Sequence, residues 1–421
     1  MRAFLLLQMA AALLAQQPLD PTDRLIRARG ILADRDKRLP DYTCVQTVDR
    51  SYLKGRRVNS PSSSCDQLRS LSPRDLVLES TDRLRLDIKV SQGSEIGSWG
   101  GSQFSSRSIF ELIGGGPYET GMLGALIQDI FLNELATYQY TGEESTAGTK
   151  LYIYTYQVPL RASHYQIKAG SSWVVIAFHG AFWLDSNTLE LERLTVQSAE
   201  LPPETGACDI DTAVDYQKVR VGDGEFLLPR QSSIRALNRD GTETHVTAVY
   251  SSCRAYLSEA TIRFDEPPAV AGTMAGKGRA APLPAGVSLS LALTEPIDTD
   301  KAAAGDIVRA KVRKPARDPR SKAILVPAGA IVEGRIVDMQ HWLSEPPYFA
   351  ISILLEKLEL SGVSRPLYAN VKQRGLVIAL PPVGESARVA AFPFATDKSR
   401  YVVPTGYESE WVTVEPSEET K

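Results

Sequence analysis

The residues able to do chemistry are few and scattered in this 421-residue chain. Its four histidines, His164, His179, His245 and His341, stand apart from one another, and no Gly-x-Ser-x-Gly elbow accompanies them. A Ser–His–Asp hydrolase set is therefore not written locally, and His179, inside an apolar alternation before Gly180 and Trp183, reads as a strand residue. Cys44, Cys65, Cys208 and Cys253 show no CxxC spacing and no histidine at ligand spacing, which argues against zinc and for disulfides, with free buried thiols as the alternative. Four cysteines allow three pairings. Local closure, Cys44 with Cys65 and Cys208 with Cys253, is expected because each bond would close a modest loop.

The glycine-rich stretch "IGGGPYETG" at 113–121 precedes a helical pattern but lacks the Lys-Ser/Thr of a phosphate loop and the order GxGxxG. It reads as a hinge or lid. "LPPETG" at 201–206 carries an extra proline and no membrane anchor follows it, so it is no sorting signal. No cofactor and no metal are expected. What remains is recognition by apolar surface. "YETGMLGALIQDIFLNELATY", about 118–138, predicts a helix whose Met122, Leu123, Leu126, Ile127, Ile130, Phe131 and Leu132 cover more than one stripe. Such a helix is either core or the plug of a lipid-sized groove. The candidate ligand-binding residues are the first six of these together with Trp183. A groove of this kind binds acyl chains at roughly 25 cal/mol per Å² buried.

The elements that must position these residues are mostly strands. "DPTDRLIRARGILADRDKRLP" predicts one N-terminal helix, capped by Asp20 or Thr22, with Leu25, Ile26, Ala28, Ile31 and Leu32 on its apolar side and Pro40 as its stop. Strand patterns follow at 42–53, 84–92, 150–160, 172–185, 189–201, 213–229, 232–257 and 260–264. "VGDGEF" and "NRDGTE" place Asp-Gly turns between apolar alternations, a hairpin signal. The fold class is mainly β (α+β): a curved antiparallel sheet with two helices, then a small β-barrel.

The barrel announces itself through a repeated corner. "LPAG" at 283–286, "VPAG" at 326–329 and "VPTG" at 403–406 each put Pro where a turn needs fixed φ and Gly where it needs positive φ. "VSLSLAL" alternates without a miss after the first, and strand patterns continue at 305–312, 330–337, 348–360 and 364–372. "EPPAVAGTMAGKGRAAP" at 266–282 has little to bury and reads as a linker. The expected layout is a signal peptide at 1–15, a first domain at 18–265, the linker, a second domain at 283–415 and a tail at 416–421.

Arg2 followed by the apolar run from Ala3 to Leu14 and a small residue at Ala15 has the form of a signal peptide, too short to span a bilayer. An apolar N-terminal helix of a cytosolic protein is the alternative. Four cysteines agree with export. Net charge is −3, which gives no reason to expect nucleic acid, and no later stretch reads as a transmembrane helix. "RAKVRKPARDPRSK" at 309–322 holds seven basic residues and one acid, a solvated loop or a contact for phosphate-bearing lipid or polysaccharide. "WLSEPPYF" at 342–349 sets aromatics around a Pro-Pro loop.

Two resemblances rest on these residues. The run from Leu283 to Val337, corner, strand, Gly-Asp turn, strand and second corner, resembles the C-terminal β-barrel of TrbI-type conjugation proteins. The chain lacks the transmembrane helix of those channel components, so the barrel is taken as a module reused in the envelope. "HGAFWLDSNTLELERLTVQ" at 179–197 and "VDYQKVRVGDGEFLLPRQSSI" at 214–234 are similar to the LolA-like outer-membrane lipoprotein carriers. That resemblance implies an open half-barrel with helices plugging an apolar concavity. Together they imply an exported, non-catalytic envelope protein, periplasmic or outer-membrane associated. It would bind a lipid or lipoprotein in its first domain and an envelope protein through residues 283–415. A structural or protein-interaction module without a cavity is the alternative, and a hydrolase comes third.

Overall fold

Asp20 begins the first element. Its carboxylate accepts from the backbone N–H of Thr22 (2.7 Å) and Asp23 (3.0 Å), and Pro21 occupies the first turn, where no N–H partner is needed. Helix α1 (Pro21–Arg38) follows, with Ala28 and Leu32 buried and Leu25 packed beside them. Ile26, expected on that stripe, is 60% exposed, because one residue past Leu25 turns it about 100° away. The computed structural model describes residues 19–55, 64–70, 73–91, 94–105, 108–113, 116–118, 124–146, 148–170, 172–256, 281–372 and 390–416. The expected signal peptide, Met122, Leu123, the strand at 260–264, nearly all of the linker and all but the first residue of the tail lie outside them.

The fold is mainly β: among the described residues 57% are in strands and 13% in helices. Its first half supplies β1 (Tyr42–Gly55), β2 (Leu76–Ser91), β3 (Ser94–Trp99), β4 (Thr137–Thr146) and β5 (Thr149–Val158). A small hairpin, β6 (Gln166–Ala169) and β7 (Ser172–Val175), precedes β8 (Phe178–Asp185), β9 (Leu191–Ser198), β10 (Ala207–Val221), β11 (Gly224–Asn238) and β12 (Thr242–Ala255). Apart from the small hairpin, these form one antiparallel sheet in the order β3-β2-β1-β12-β11-β10-β9-β8-β5-β4. The single strand expected over 172–185 is two. Its first part folds back on β6, and the Ile176 N–H then bonds the Tyr165 carbonyl (3.0 Å) before β8 joins the main sheet.

Both hairpin turns fall where the glycines are. Gly222 takes φ +60° as first residue of the two-residue loop between β10 and β11, one step before the Asp-Gly dipeptide, and Gly241 takes φ +79° in the next loop. The inserted helix is much shorter than expected. Short helices α2 (Cys65–Arg69) and α3 (Ile109–Leu112) come first, then α4 (Ala125–Ile127), which runs into one π-turn over Gln128–Leu132. Asn133 ends it: its side chain accepts from Leu135 N–H (2.9 Å) and donates to the Ala162 carbonyl (2.8 Å). The chain then enters β4, whose exposed edge gives it little apolar alternation.

The disulfides pair differently from the expectation. Cys44 bonds Cys253 and Cys65 bonds Cys208. The sheet decides this, since β1 and β12 are hydrogen-bonded neighbours and bring Cys44 and Cys253 to a Cα separation of 4.0 Å. The second bond ties α2 to the start of β10, over a small cluster of Leu68 and Leu237.

The second half supplies β13 (Ser288–Leu293), β14 (Ile297–Asp298), β15 (Ile307–Val312), β16 (Ala316–Arg317), β17 (Ile324–Val326), β18 (Ile331–Trp342) and β19 (Tyr348–Leu360). β20 (Val363–Pro366), β21 (Ala369–Val371), β22 (Ala390–Ala395), β23 (Val402–Val403) and β24 (Glu408–Thr413) complete it. The pairings run β13-β15-β18-β19-β20, and β21, which continues β20, pairs with β24, which returns to β13. That closes a ring around Leu289, Leu291, Val332, Leu358 and Trp411, an apolar cluster separate from that of the first half. All three corner glycines have positive φ: Gly286 +88°, Gly329 +87° and Gly406 +83°. Each donates its N–H to the last carbonyl of the strand beside the one it starts: Thr413 (2.8 Å), Val312 (2.7 Å) and Leu293 (2.8 Å). The corner repeats because the same strand-start clamp is used three times.

The two halves share main-chain bonds along the stretch of β2 that β3 leaves uncovered. Ser80–Asp82 pair with Gln340–Trp342 of β18, and Arg85 N–H bonds the Ala304 carbonyl (2.6 Å). Gly305 sits against this edge at φ +107°, where an added Cβ would lie 2.1 Å from the Arg85 carbonyl oxygen. Arg335, 3% exposed, donates to the Gly100 carbonyl (2.8 Å) and the Gly305 carbonyl (2.6 Å), and Arg85 pairs with Asp306.

Candidate functional site

The inner face of the curved sheet is filled at one end and open at the other. At the β5–β8 end, α1 and the π-turn cover Tyr154, Tyr156 and Phe182. Arg29 donates to the Phe131 carbonyl (2.7 Å), Tyr154 hydroxyl to the Pro21 carbonyl (2.7 Å), and Phe131 packs edge-on to Phe182 with ring centres 4.8 Å apart. At the other end, β3, β10, β11 and β12 form one wall of a cleft of about 810 Å³. Its opposite wall comes from α3, α4 and the β6–β7 hairpin.

The wall is apolar where the sheet side chains point inward: Ile96, Ile210, Ile234 and Ala236 face Ile109 and Leu126. Gly97 lets α3 approach, since a Cβ there would lie 2.3 Å from Ile109 Cδ1. Aromatic rings gather at the mouth. Phe110 contacts Trp173 at 5.2 Å and Tyr118 at 6.0 Å between ring centres, and the Lys168 ammonium lies 5.8 Å from the Phe110 centroid. Trp173 is 47% exposed.

Two sets of polar contacts are fixed at the cleft. Asp129, 6% exposed, accepts from both the backbone N–H (2.9 Å) and the Nδ1 (2.6 Å) of His164. A carboxylate can only accept, so Nδ1 carries a hydrogen and Nε2 points away from Asp129. Beneath α3, Tyr118 donates to Gln46 Oε1 (2.5 Å), whose Nε2 donates to the Tyr250 hydroxyl (3.1 Å). Burial pushes the Tyr118 hydroxyl well above its usual range, so it remains a donor.

A second polar cluster lies where β18 meets β2. Arg50 grips Asp82 with two bonds, Nε to Oδ1 (2.7 Å) and Nη2 to Oδ2 (2.8 Å), and Tyr52 hydroxyl donates to the same carboxylate (3.0 Å). Both charged groups are 5% exposed at the side chain. Asp338, half-buried at a bulge of β18, has its carboxyl raised to about 6. Loss of solvent is the main cause and the negative Asp82 the second; Arg50 and the Met339 N–H oppose it.

Of the residues expected to bind a ligand, Leu126 lines the cleft. Ile130 and Phe131 are 0% and 1% exposed and belong to the packed end, and Ile127 packs partly buried against the same core. Trp183 follows Phe182 on β8 and so points to the outer face, where Arg193 lies 5.8 Å from its ring. Met122 and Leu123 lie outside the described residues. Asp129, His164, Lys168 and Trp173 were not anticipated. A signal for the first was present: a lone carboxylate inside the run from Leu126 to Leu132 requires a partner once buried. Among the described residues no group of three or more His, Cys, Asp or Glu could hold a metal ion, and no helix is long and apolar enough to cross a membrane.

No protein-family model matches the chain, and no curated protein matches it. Solved structures similar to part of it include the following two. A DUF1329 family protein from Desulfovibrio piger is 11% identical, with a TM-score of 0.29 over 57% of this chain and 95% of its own. A putative outer membrane lipoprotein-sorting protein domain from Vibrio parahaemolyticus is 11% identical, with a TM-score of 0.27 over 55% of this chain and 92% of its own. Scores this low carry no argument about fold or function.

Proposed function

We propose that this chain is a non-catalytic envelope protein that binds a hydrophobic or lipidated ligand in the cleft between its curved sheet and α4. The observation that carries the reading is the cleft itself: about 810 Å³, walled by Ile96, Ile109, Leu126, Ile210, Ile234 and Ala236. That volume falls in the range of roughly 300–1,000 Å³ typical of sites that enclose one ligand. Two disulfides with no free cysteine favour an oxidising compartment. We read residues 18–265 as the binding unit and 283–415 as a barrel that serves an envelope partner. The two separate apolar clusters support that division. A filled structural module is the second reading, favoured by the way Ile130 and Phe131 pack the other end of the sheet.

Native mass spectrometry of the purified chain, followed by lipid extraction, decides between them. The binding reading expects a co-purifying or exchangeable acyl-bearing molecule that is lost in Ala236→Phe, a substitution that fills the cleft from its floor. A clean apo mass that takes up no added fatty acid or lipopeptide would overturn it and leave the structural module.

A further inference from the structure

We propose that the cleft selects a single-chain amphiphile with an anionic head, carboxylate or phosphate. The head would be held at the mouth by Lys168, with the tail along Leu126, Ile109 and Ile234. This rests on the binding reading above and adds the class of ligand.

The argument is one of charge placement. Four ionisable side chains line the cleft: Glu95, Asp129, His164 and Lys168. The two acids are occupied. Asp129 is buried and receives two bonds from His164, and Glu95 is engaged with other groups of the protein. The two bases are exposed. The His164 side chain is 81% exposed, but its Nδ1 hydrogen is committed to Asp129, which leaves Nε2 an acceptor in the neutral ring. Lys168 is exposed on β6, has no carboxylate within ion-pair distance among the described residues, and lies against the Phe110 ring. The mouth therefore offers one positive donor, the Lys168 ammonium, while the interior offers apolar wall. That is the complement of an anionic head on an aliphatic tail. The volume suits one such molecule, and the exposed Trp173 and the partly buried Phe110 flank the head-to-tail boundary, where amphipathic aromatic rings are favoured.

Displacement of a fluorescent fatty acid from the full chain tests this with four competitors: hexadecanoate, hexadecyl phosphate, hexadecanol and inorganic phosphate. We expect the two anionic amphiphiles to compete roughly tenfold better than hexadecanol, the scale of one charge-assisted hydrogen bond. Inorganic phosphate alone should not displace the probe. In Lys168→Met, an exposed position with no ion-pair partner among the described residues, the anionic preference should fall to about onefold. Equal competition by all three long-chain molecules, unaffected by Lys168→Met, would overturn the head-group assignment and leave the apolar cleft standing. Displacement by inorganic phosphate alone would replace the amphiphile with a plain anion. Absence of probe binding would overturn both readings.

Discussion

Asp338 should make the protein less stable at neutral pH than in mild acid, and its removal should reverse that. Its carboxyl is raised from 3.8 to about 6, chiefly by burial and then by the Asp82 charge. The native state therefore holds this proton more tightly than the unfolded chain. The benefit is complete below about pH 4, is lost as pH rises through the window from about 4 to 6, and stays lost above it. A difference of about 2 pH units at 1.36 kcal/mol each sets a ceiling of about 3 kcal/mol. Asp338 is only half-buried, so solvent screening reduces this to about 1–2 kcal/mol. Asp338→Asn keeps the shape, removes the charge facing Asp82 and leaves the Arg50–Asp82 fork intact. Urea unfolding of both proteins at pH 4.5 and 7.5 gives the comparison. The variant should be more stable by about 1–2 kcal/mol at pH 7.5, with the advantage shrinking at pH 4.5. Taking the difference between the two proteins cancels the other acids that titrate. An equal difference at both pH values, or a variant less stable at pH 7.5, would refute the assignment.

Gly305→Ala should separate the halves: the new Cβ meets the Arg85 carbonyl at 2.1 Å, a backbone atom, and the site has φ +107°. We expect a loss of about 3 kcal/mol and faster proteolysis after residue 256, read by timed digestion. Alanine at Gly286, Gly329 or Gly406 should each lower barrel stability by about 1–2 kcal/mol, with similar shifts in thermal midpoint because the three corners use one clamp. Replacing Cys44 and Cys253 together by Ala should cost about 2–5 kcal/mol, whereas replacing Cys44 and Cys65 should leave two unpaired thiols, Cys208 and Cys253, countable with a thiol reagent.

What the sequence made legible was local. The corners and hairpin turns depend on a glycine at positive φ within four residues, so Gly222, Gly241, Gly286, Gly329 and Gly406 mark them without reference to the rest of the fold. The same locality misled at β4. Its residues follow a strongly apolar run, and as an exposed edge strand it buries little beyond Tyr138 and Tyr140, so its pattern does not declare itself. Cys44–Cys253 was hidden because short loops close most readily in an unstructured chain, whereas the pairing of β1 with β12 is settled by the whole sheet. The cleft was legible only as an apolar tendency. Leu126 belongs to it, but its polar groups come from the π-turn after α4 and from the chain around β6, and no spacing links Asp129 to a histidine 35 residues later. Equally invisible was the edge of β2, which one face of the barrel completes through main-chain atoms that carry no side-chain signature.

The nested disulfides have a consequence for how the chain must be made. Delivered N-terminus first into an oxidising compartment, Cys44 and Cys65 arrive together, while the native partner of Cys65 follows 143 residues later and that of Cys44 follows 209 residues after it. At roughly 5–20 residues per second, the first interval lasts on the order of 7–30 s. Throughout it, the only bond the chain can close within itself is Cys44–Cys65, the pair that loop length favours and the finished fold does not contain. Maturation by that route requires keeping those thiols reduced, or an exchange catalyst that undoes the first bond once the last strand has been delivered.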